Sequence, residues 1–266
     1  MKALAAASIL QYERAVRSLS DYYRAVELGL VACFREATSV HPDPVQKRQR
    51  NALKAAIVFG SDQGLVGQFN DQLASFVLAE LAAQPGDKAA WAVGERIYGR
   101  LQESSLALRH LYPVPNSVSA ITPLISQILV DDELTREDVE VYIFHNRPRP
   151  GSSYEPVRQR LLPLDEKWQR DLGQTKWPTK MLPQVIAGRQ PAVLALIREY
   201  LFVSLFKACA ESLASENASR LAAMQRAEKN IGELLEQLRA DFHQQRQNSI
   251  DAELFDVISG FEVLAR

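Results

Sequence analysis

The last quarter of the chain constrains the fold most. Between residues 190 and 266 there is no proline beyond Pro191, and no glycine separates Gly188 from Gly232. Leu221, Met224, Ile231, Leu235, Leu238 and Phe242 recur at alternating steps of three and four, with Glu228 as the one polar member. Ile250, Leu254, Val257, Phe261 and Leu264 resume the pattern after a one-step skip. That spacing is the seam of a coiled coil. At about 1.5 Å per residue such a helix is on the order of 110 Å long, and no small globular domain can wrap it.

A helix of this length is stabilised by burying its apolar stripe, so it needs a partner. The other end of the sequence supplies one. Ile9, Tyr12, Val16, Leu19, Tyr23, Val26, Leu30 and Cys33 follow each other at spacings of three and four, and residues 2–37 contain no proline. The chain therefore begins and ends with coiled-coil helices, residues 1–37 and 188–266, around an insert at 53–187. The simplest pairing is antiparallel. The early helix, at roughly 54 Å, is too short to cover its partner. Part of the last helix is expected to pack on the insert, and about its final twenty residues to project, with Ile250, Leu254, Ile258 and Phe261 uncovered and ready for a partner.

The insert reads as α/β. The run 55–60 is short and continuously apolar, as a buried strand is, and a helix follows over 71–83. A second strand at 89–93 leads into a helix running through Leu108. Apolar segments at 111–114 and 139–145 flank a helix over 118–132, and a last strand spans 154–164. Alternating strands and helices predict a parallel, Rossmann-like sheet. The linker at 38–51, with Pro42 and Pro44, carries Lys47, Arg48 and Arg50, a group read as a solvated loop.

Composition adds exclusions. With 47% hydrophobic residues, 24% charged and a net charge of −1, the chain lacks the basic excess of a broad nucleic-acid footprint. Cys33 and Cys209 both sit in apolar helical settings, which suits reduced thiols in a cytoplasmic compartment better than a disulfide or metal site. No apolar run approaches the eighteen or so residues of a membrane span, and the opening residues 1–8 lose their resemblance to a signal peptide at Gln11, Glu13 and Arg14.

No catalytic, cofactor-binding or metal-ligating set stands out. Gly60, Gly64 and Gly67 lie between a strand and a helix, where phosphates bind helix N-termini. Their spacing is G-x-x-x-G-x-x-G, however, and no P-loop Lys-Ser/Thr follows. Glycines serving a tight structural turn explain them better. His41, His110, His145 and His243 are scattered, and His145 beside Asn146 reads as a loop position at a strand end. Asp131, Asp132 and Glu133 cluster at a helix C-terminus, against the macrodipole, and read as a solvated turn. Ser61 beside Asp62 has no nearby base.

Three stretches carry a family resemblance. Ser61-Asp62-Gln63-Gly64-Leu65-Val66-Gly67-Gln68-Phe69-Asn70 resembles a glycine-rich stretch of the gamma subunit of rotary F-type ATP synthases. Ser215-Glu216-Asn217-Ala218-Ser219-Arg220-Leu221-Ala222-Ala223-Met224, with Ala227-Glu228-Lys229-Asn230, is similar to that family's most recognisable segment. Arg246-Gln247-Asn248-Ser249-Ile250-Asp251-Ala252-Glu253-Leu254 and Ile258-Ser259-Gly260 are similar to its C-terminal signature.

The resemblance implies a non-catalytic shaft formed by the two terminal helices, standing in a ring of alpha and beta subunits. The α/β insert would be its foot on the membrane rotor ring, gripped by an epsilon-type subunit. The shaft would couple proton or sodium flow to ATP synthesis or hydrolysis without binding nucleotide, peripheral to the cytoplasmic face of the membrane and held there only through the complex. By position, Arg220, Arg246 and Gln247 would be polar contacts to the beta ring, with Ile250, Leu254 and Phe261 enclosed there; without the resemblance, a solvated helix face is the better account of the three polar residues.

Several residues depart from the family pattern. Met1 matches an internal point of the family's first helix, so either the start lies late or the shaft is shorter. Ser8-Ile9-Leu10-Gln11 stands where the family has a Ser-Lys-Leu/Met-Arg group, removing two positive charges. Asp251 and His243 alter the opposite helix. Gln63, Val66 and Gln68 replace arginine, cysteine and glycine. These changes predict a divergent branch, such as a second ATP synthase in an organism with a standard one. Two rival readings are a nucleotide-binding enzyme that uses its coiled coil to dimerise, and a coiled-coil scaffold outside the motor.

Overall fold

A computed structural model describes residues 2–35, 52–134, 136, 139–149, 153–164, 172, 177–179, 181 and 188–264. The linker at 38–51 with its basic group lies outside them. The element order is α1 (Lys2–Arg35), β1 (Leu53–Phe59), α2 (Phe69–Ala82), β2 (Lys88–Val93), α3 (Glu95–Gln102), β3 (Ala107–Tyr112), α4 (Val118–Leu129), β4 (Val139–Arg149), β5 (Ser153–Leu162) and α5 (Arg189–Leu264). The chain falls into two units, Met1–Leu221 and Ala222–Arg266. The boundary lies inside α5.

In the first unit five strands form one sheet in the order β3-β2-β1-β4-β5. The pairs β1–β2, β1–β4 and β2–β3 are parallel, and β4–β5 is antiparallel. The sheet is thus mixed where an all-parallel one was expected. Only residues 150–152 separate β4 from β5, and a parallel partner needs a crossover of a dozen or more residues.

Alternation along the strands feeds two cores. Ile57, Phe59, Trp91, Val93, Val141 and Ile143 point to the face covered by α4 and by Leu205, Cys209 and Leu213 of α5. Ala56, Val58, Ala92, Tyr142 and Phe144 point to the opposite face, against α2 and α3. Residues buried on both faces explain why the central strands read as continuous apolar runs. β3 does not: it is an edge strand, exposed along much of its length. It begins at Ala107, inside the stretch its sequence suggested for a helix, because an edge strand needs no apolar run.

A third cluster joins the terminal helices. Val26, Leu30, Val31 and Tyr200 are buried together, with Tyr23, Leu196 and Leu201 packed around them. Tyr22 donates to Glu199 at 2.9 Å, the Tyr23 and Tyr200 rings lie 5.6 Å apart, and a Cβ on Gly29 would sit 3.1 Å from Leu196. Higher numbers on α1 thus meet lower numbers on α5, which makes the pairing antiparallel. Tyr12 and Val26 are buried along it, and Ile9, Val16, Leu19 and Tyr23 are half-buried.

Leu221 and Met224 are half-buried, and exposure is continuous over 225–258. Ile231, Leu235, Leu238 and Phe242, expected in the seam, are 50% exposed or more. The uncovered stripe therefore begins near residue 225 and is longer than the twenty or so residues expected.

Candidate functional site

In open α/β sheets, ligands bind beyond the carboxyl ends of the strands where the strand order reverses. Here β1 is continued on one side to β2 and on the other to β4, so the reversal lies between β1 and β4. That place is filled by α5. Ser212 Oγ donates to the Phe59 carbonyl at 2.9 Å, Ser215 Oγ to the Asn146 carbonyl at 2.9 Å and Ser219 Oγ to the Val66 carbonyl at 2.6 Å. All three serines are buried. The need is physical: Phe59 ends β1, Asn146 of β4 lies just past the last β1 pair at His145, and Val66 is in the turn, so these carbonyls must find a donor elsewhere.

One turn of α5 also carries a buried acid. Glu211 Oε2 lies 2.7 Å from His145 Nε2 and 3.5 Å from the Arg147 guanidinium. Burial holds the His145 imidazole below its ordinary pKa, against the pull of the carboxylate. Neutral His145 then donates through Nε2, and Nδ1 is left without a partner. Burial pushes the Glu211 carboxyl up, but the bond from His145, with the Lys207 and Arg147 charges, outweighs it and keeps the group below the ordinary value. His145 is therefore no loop residue. β4 continues to Arg149, and His145 and Asn146 are buried within it.

The glycine turn is held from within. A Cβ on Gly60 would lie 2.3 Å from the Ile97 Cβ, so the close approach of β1 to α3 requires glycine there. Gly67 has φ +57°, the left-handed region. Gly64 meets no such limit: a Cβ there would be 3.7 Å from Arg96. Asn70 accepts from the Ser61 amide at 3.1 Å and donates to Ser61 Oγ at 2.8 Å. Asp62 accepts from the amides of Glu95 and Val114, each at 2.9 Å, which fastens the turn to the start of α3 and to the segment after β3. A cleft of about 470 Å³ lies between this turn and α3; its Arg100 is paired with Asp71 at 2.7 Å.

Two acidic features differ from their sequence reading. Asp131 is no solvated residue: it accepts from Trp91 Nε1 at 2.8 Å and Tyr112 Oη at 3.4 Å, and its side chain is 8% exposed. Glu216 is buried and pairs with Arg220 at 2.5 Å; burial raises its pKa, which Arg220 opposes. Arg220 is thus engaged within the first unit. Arg246, Gln247, Ile250 and Leu254 are exposed on α5 in the second unit. The Phe261 side chain lies outside the described residues. Among the described residues no three His, Cys, Asp or Glu side chains converge as a metal would need.

The sequence pattern of the ATP synthase family matches residues 1–264. The ATP synthase gamma chain of Geotalea uraniireducens is 26% identical over 269 residues, 98% of this chain and 91% of the relative. That of Glaesserella parasuis is 30% identical over 212 residues, 77% of this chain and 72% of the relative. The chain belongs to the ATP synthase gamma family.

The fold agrees with that membership. The gamma-type fold of this chain is similar to a chain of the Tetrahymena thermophila mitochondrial ATP synthase central stalk and c-ring, at a TM-score of 0.60 and 19% identity, over 86% of this chain and 97% of that one. A chain of the Euglena gracilis mitochondrial ATP synthase gives 0.60 at 16% identity, over 97% and 95%. Within this gamma-family chain, the serine face and the His145–Glu211 pair are what sequence reading missed. Their one available signal was the spacing of Ser212, Ser215 and Ser219 along a single helix face.

Proposed function

We propose that this chain is the non-catalytic rotor shaft of an F-type ATP synthase, coupling transmembrane ion flow to ATP turnover at the beta subunits. One observation carries the reading. α5 exposes Ile231, Leu235, Leu238 and Phe242 at spacings of three and four, and Ile250 and Leu254 four apart beyond them, while its earlier turns are buried against a sheet. Exposed apolar surface of that extent calls for a covering partner. A ring of alpha and beta subunits supplies it, with Arg246, Gln247, Ile250, Leu254 and Phe261 facing the beta ring and Arg220 completing the polar contacts. The α/β domain, residues 53–187, is the foot, set on the membrane rotor ring and gripped by an epsilon-type subunit. The complex holds the chain at the cytoplasmic face of the membrane.

The test is assembly. Mixed with purified alpha and beta subunits, the chain is expected to form a stable complex that hydrolyses ATP. In equilibrium dialysis the chain alone is expected to hold no nucleotide tightly, in keeping with the filling of the β1/β4 crevice by α5. A tight nucleotide site on the isolated chain would favour the enzyme reading instead.

A further inference from the structure

The sheet grips α5 by more than apolar contact. The helix surface toward the strands places Leu205 and Leu213 among Ala208, Cys209, Ala210 and Ala214, all buried and four of the six small. Small side chains permit close approach but raise few ridges to interlock with a neighbour. The four small positions therefore add little resistance to rotation of the helix about its own axis, and the apolar share of it falls to Leu205 and Leu213. Directional bonds resist rotation strongly, because they fail when the donor swings away from the acceptor.

α5 carries such bonds in one cluster. Ser212, Ser215 and Ser219 share a helix face by their spacing. They hold carbonyls from three separate segments: the end of β1, β4 and the glycine turn. Glu211, beside Ser212, holds His145 of β4. Three of these four anchors are backbone atoms of the sheet and its turn, and the fourth is a fully buried side chain. They move only with the sheet. Turning α5 by one residue, about 100°, would break every one of them.

We infer that Ser212, Ser215, Ser219 and the Glu211–His145 pair form a rotational key, through which α5 turns with the sheet domain instead of slipping against it. The inference rests on the rotor reading above. These are positioning residues: they act by holding the shaft in register with its foot.

The test uses the ATP synthase complex containing this chain, reconstituted in sealed lipid vesicles, with ion uptake and ATP hydrolysis measured on one preparation. Their ratio is the readout. A variant that merely lowers the amount of folded complex lowers both rates together and leaves the ratio unchanged. The triple variant S212A/S215A/S219A is expected to lower the ratio by about fivefold, the effect of losing one hydrogen bond's net contribution or more, with a steeper fall against an opposing ion gradient. Ser215→Ala alone is expected to lower it less, and it carries the test if the triple variant does not assemble. A wild-type ratio in the variants, with and without the gradient, would overturn the key. A wild-type complex that hydrolyses ATP with no ion uptake would instead overturn the rotor reading.

Discussion

His145 Nε2 and Glu211 Oε2 lie 2.7 Å apart, a buried bond that ties β4 to the last helix across 66 residues of sequence. Its consequence is a defined sensitivity to acid. The folded pKa of His145 is below its ordinary value of 6.5, so between the two the unfolded chain binds more protons. The stability from this group is complete above 6.5 and is lost as pH falls below it. Glu211, also lowered, contributes above its ordinary 4.5 and loses that contribution as pH falls through its folded value. Thermal melts of the chain are expected to show a falling Tm from about pH 6.5 downward. His145→Gln should remove the upper part of that slope; an unchanged slope would show that His145 is not its source.

The glycine turn predicts a contrast between two similar substitutions. Gly60→Ala drives a methyl to 2.3 Å from the root of Ile97 and is expected to cost about 1–3 kcal/mol. Gly64→Ala meets only open space and the Arg96 side-chain end, so its effect should stay within about 0.5 kcal/mol. Urea denaturation of the two variants measures both. Equal losses would contradict the assignment of the close approach to Gly60.

Asp131 holds the indole of a fully buried tryptophan. Asp131→Ala leaves the Trp91 N–H without its acceptor and is expected to cost about 1–3 kcal/mol. Trp91 fluorescence followed through denaturation reports this, and a variant as stable as the parent would return Asp131 to the solvated turn its sequence suggested.

These residues also show what the sequence could and could not disclose. The terminal helices were legible from an apolar period of three and four, which in α5 runs through exposed residues, and β1, β2 and β4 from the continuous hydrophobicity that burial imposes. β3 was misplaced because its edge position removes that pressure. His145 and Asp131 were misread for a different reason. A polar side chain in a loop and one buried against a distant partner look alike in sequence, and the partners Glu211 and Trp91 lie 66 and 40 positions away. The uncovered length of α5 depended on the register of the α1–α5 pairing, which periodicity alone leaves free by whole turns.

The exposed and buried parts of the helical stripe should respond oppositely to substitution. Leu30→Ala, at a position with no exposure, is expected to cost about 2–5 kcal/mol. Leu238→Ser and Phe242→Ser, both more than half exposed, should each leave the isolated chain within about 0.5 kcal/mol of the parent. The same two changes should weaken assembly with alpha and beta subunits, read as a loss of co-migrating complex. Assembly at the parental level would remove the stripe from the interface.

The shaft account stands or falls on whether this chain turns inside its ring. The direct measurement fixes an assembly of alpha, beta and this chain to a surface by the ring, attaches a gold particle to the sheet domain, and follows the particle after ATP is added. Rotation in one direction, dependent on ATP and absent without it, is the predicted result. An assembly that hydrolyses ATP while the sheet domain stays still would contradict the account.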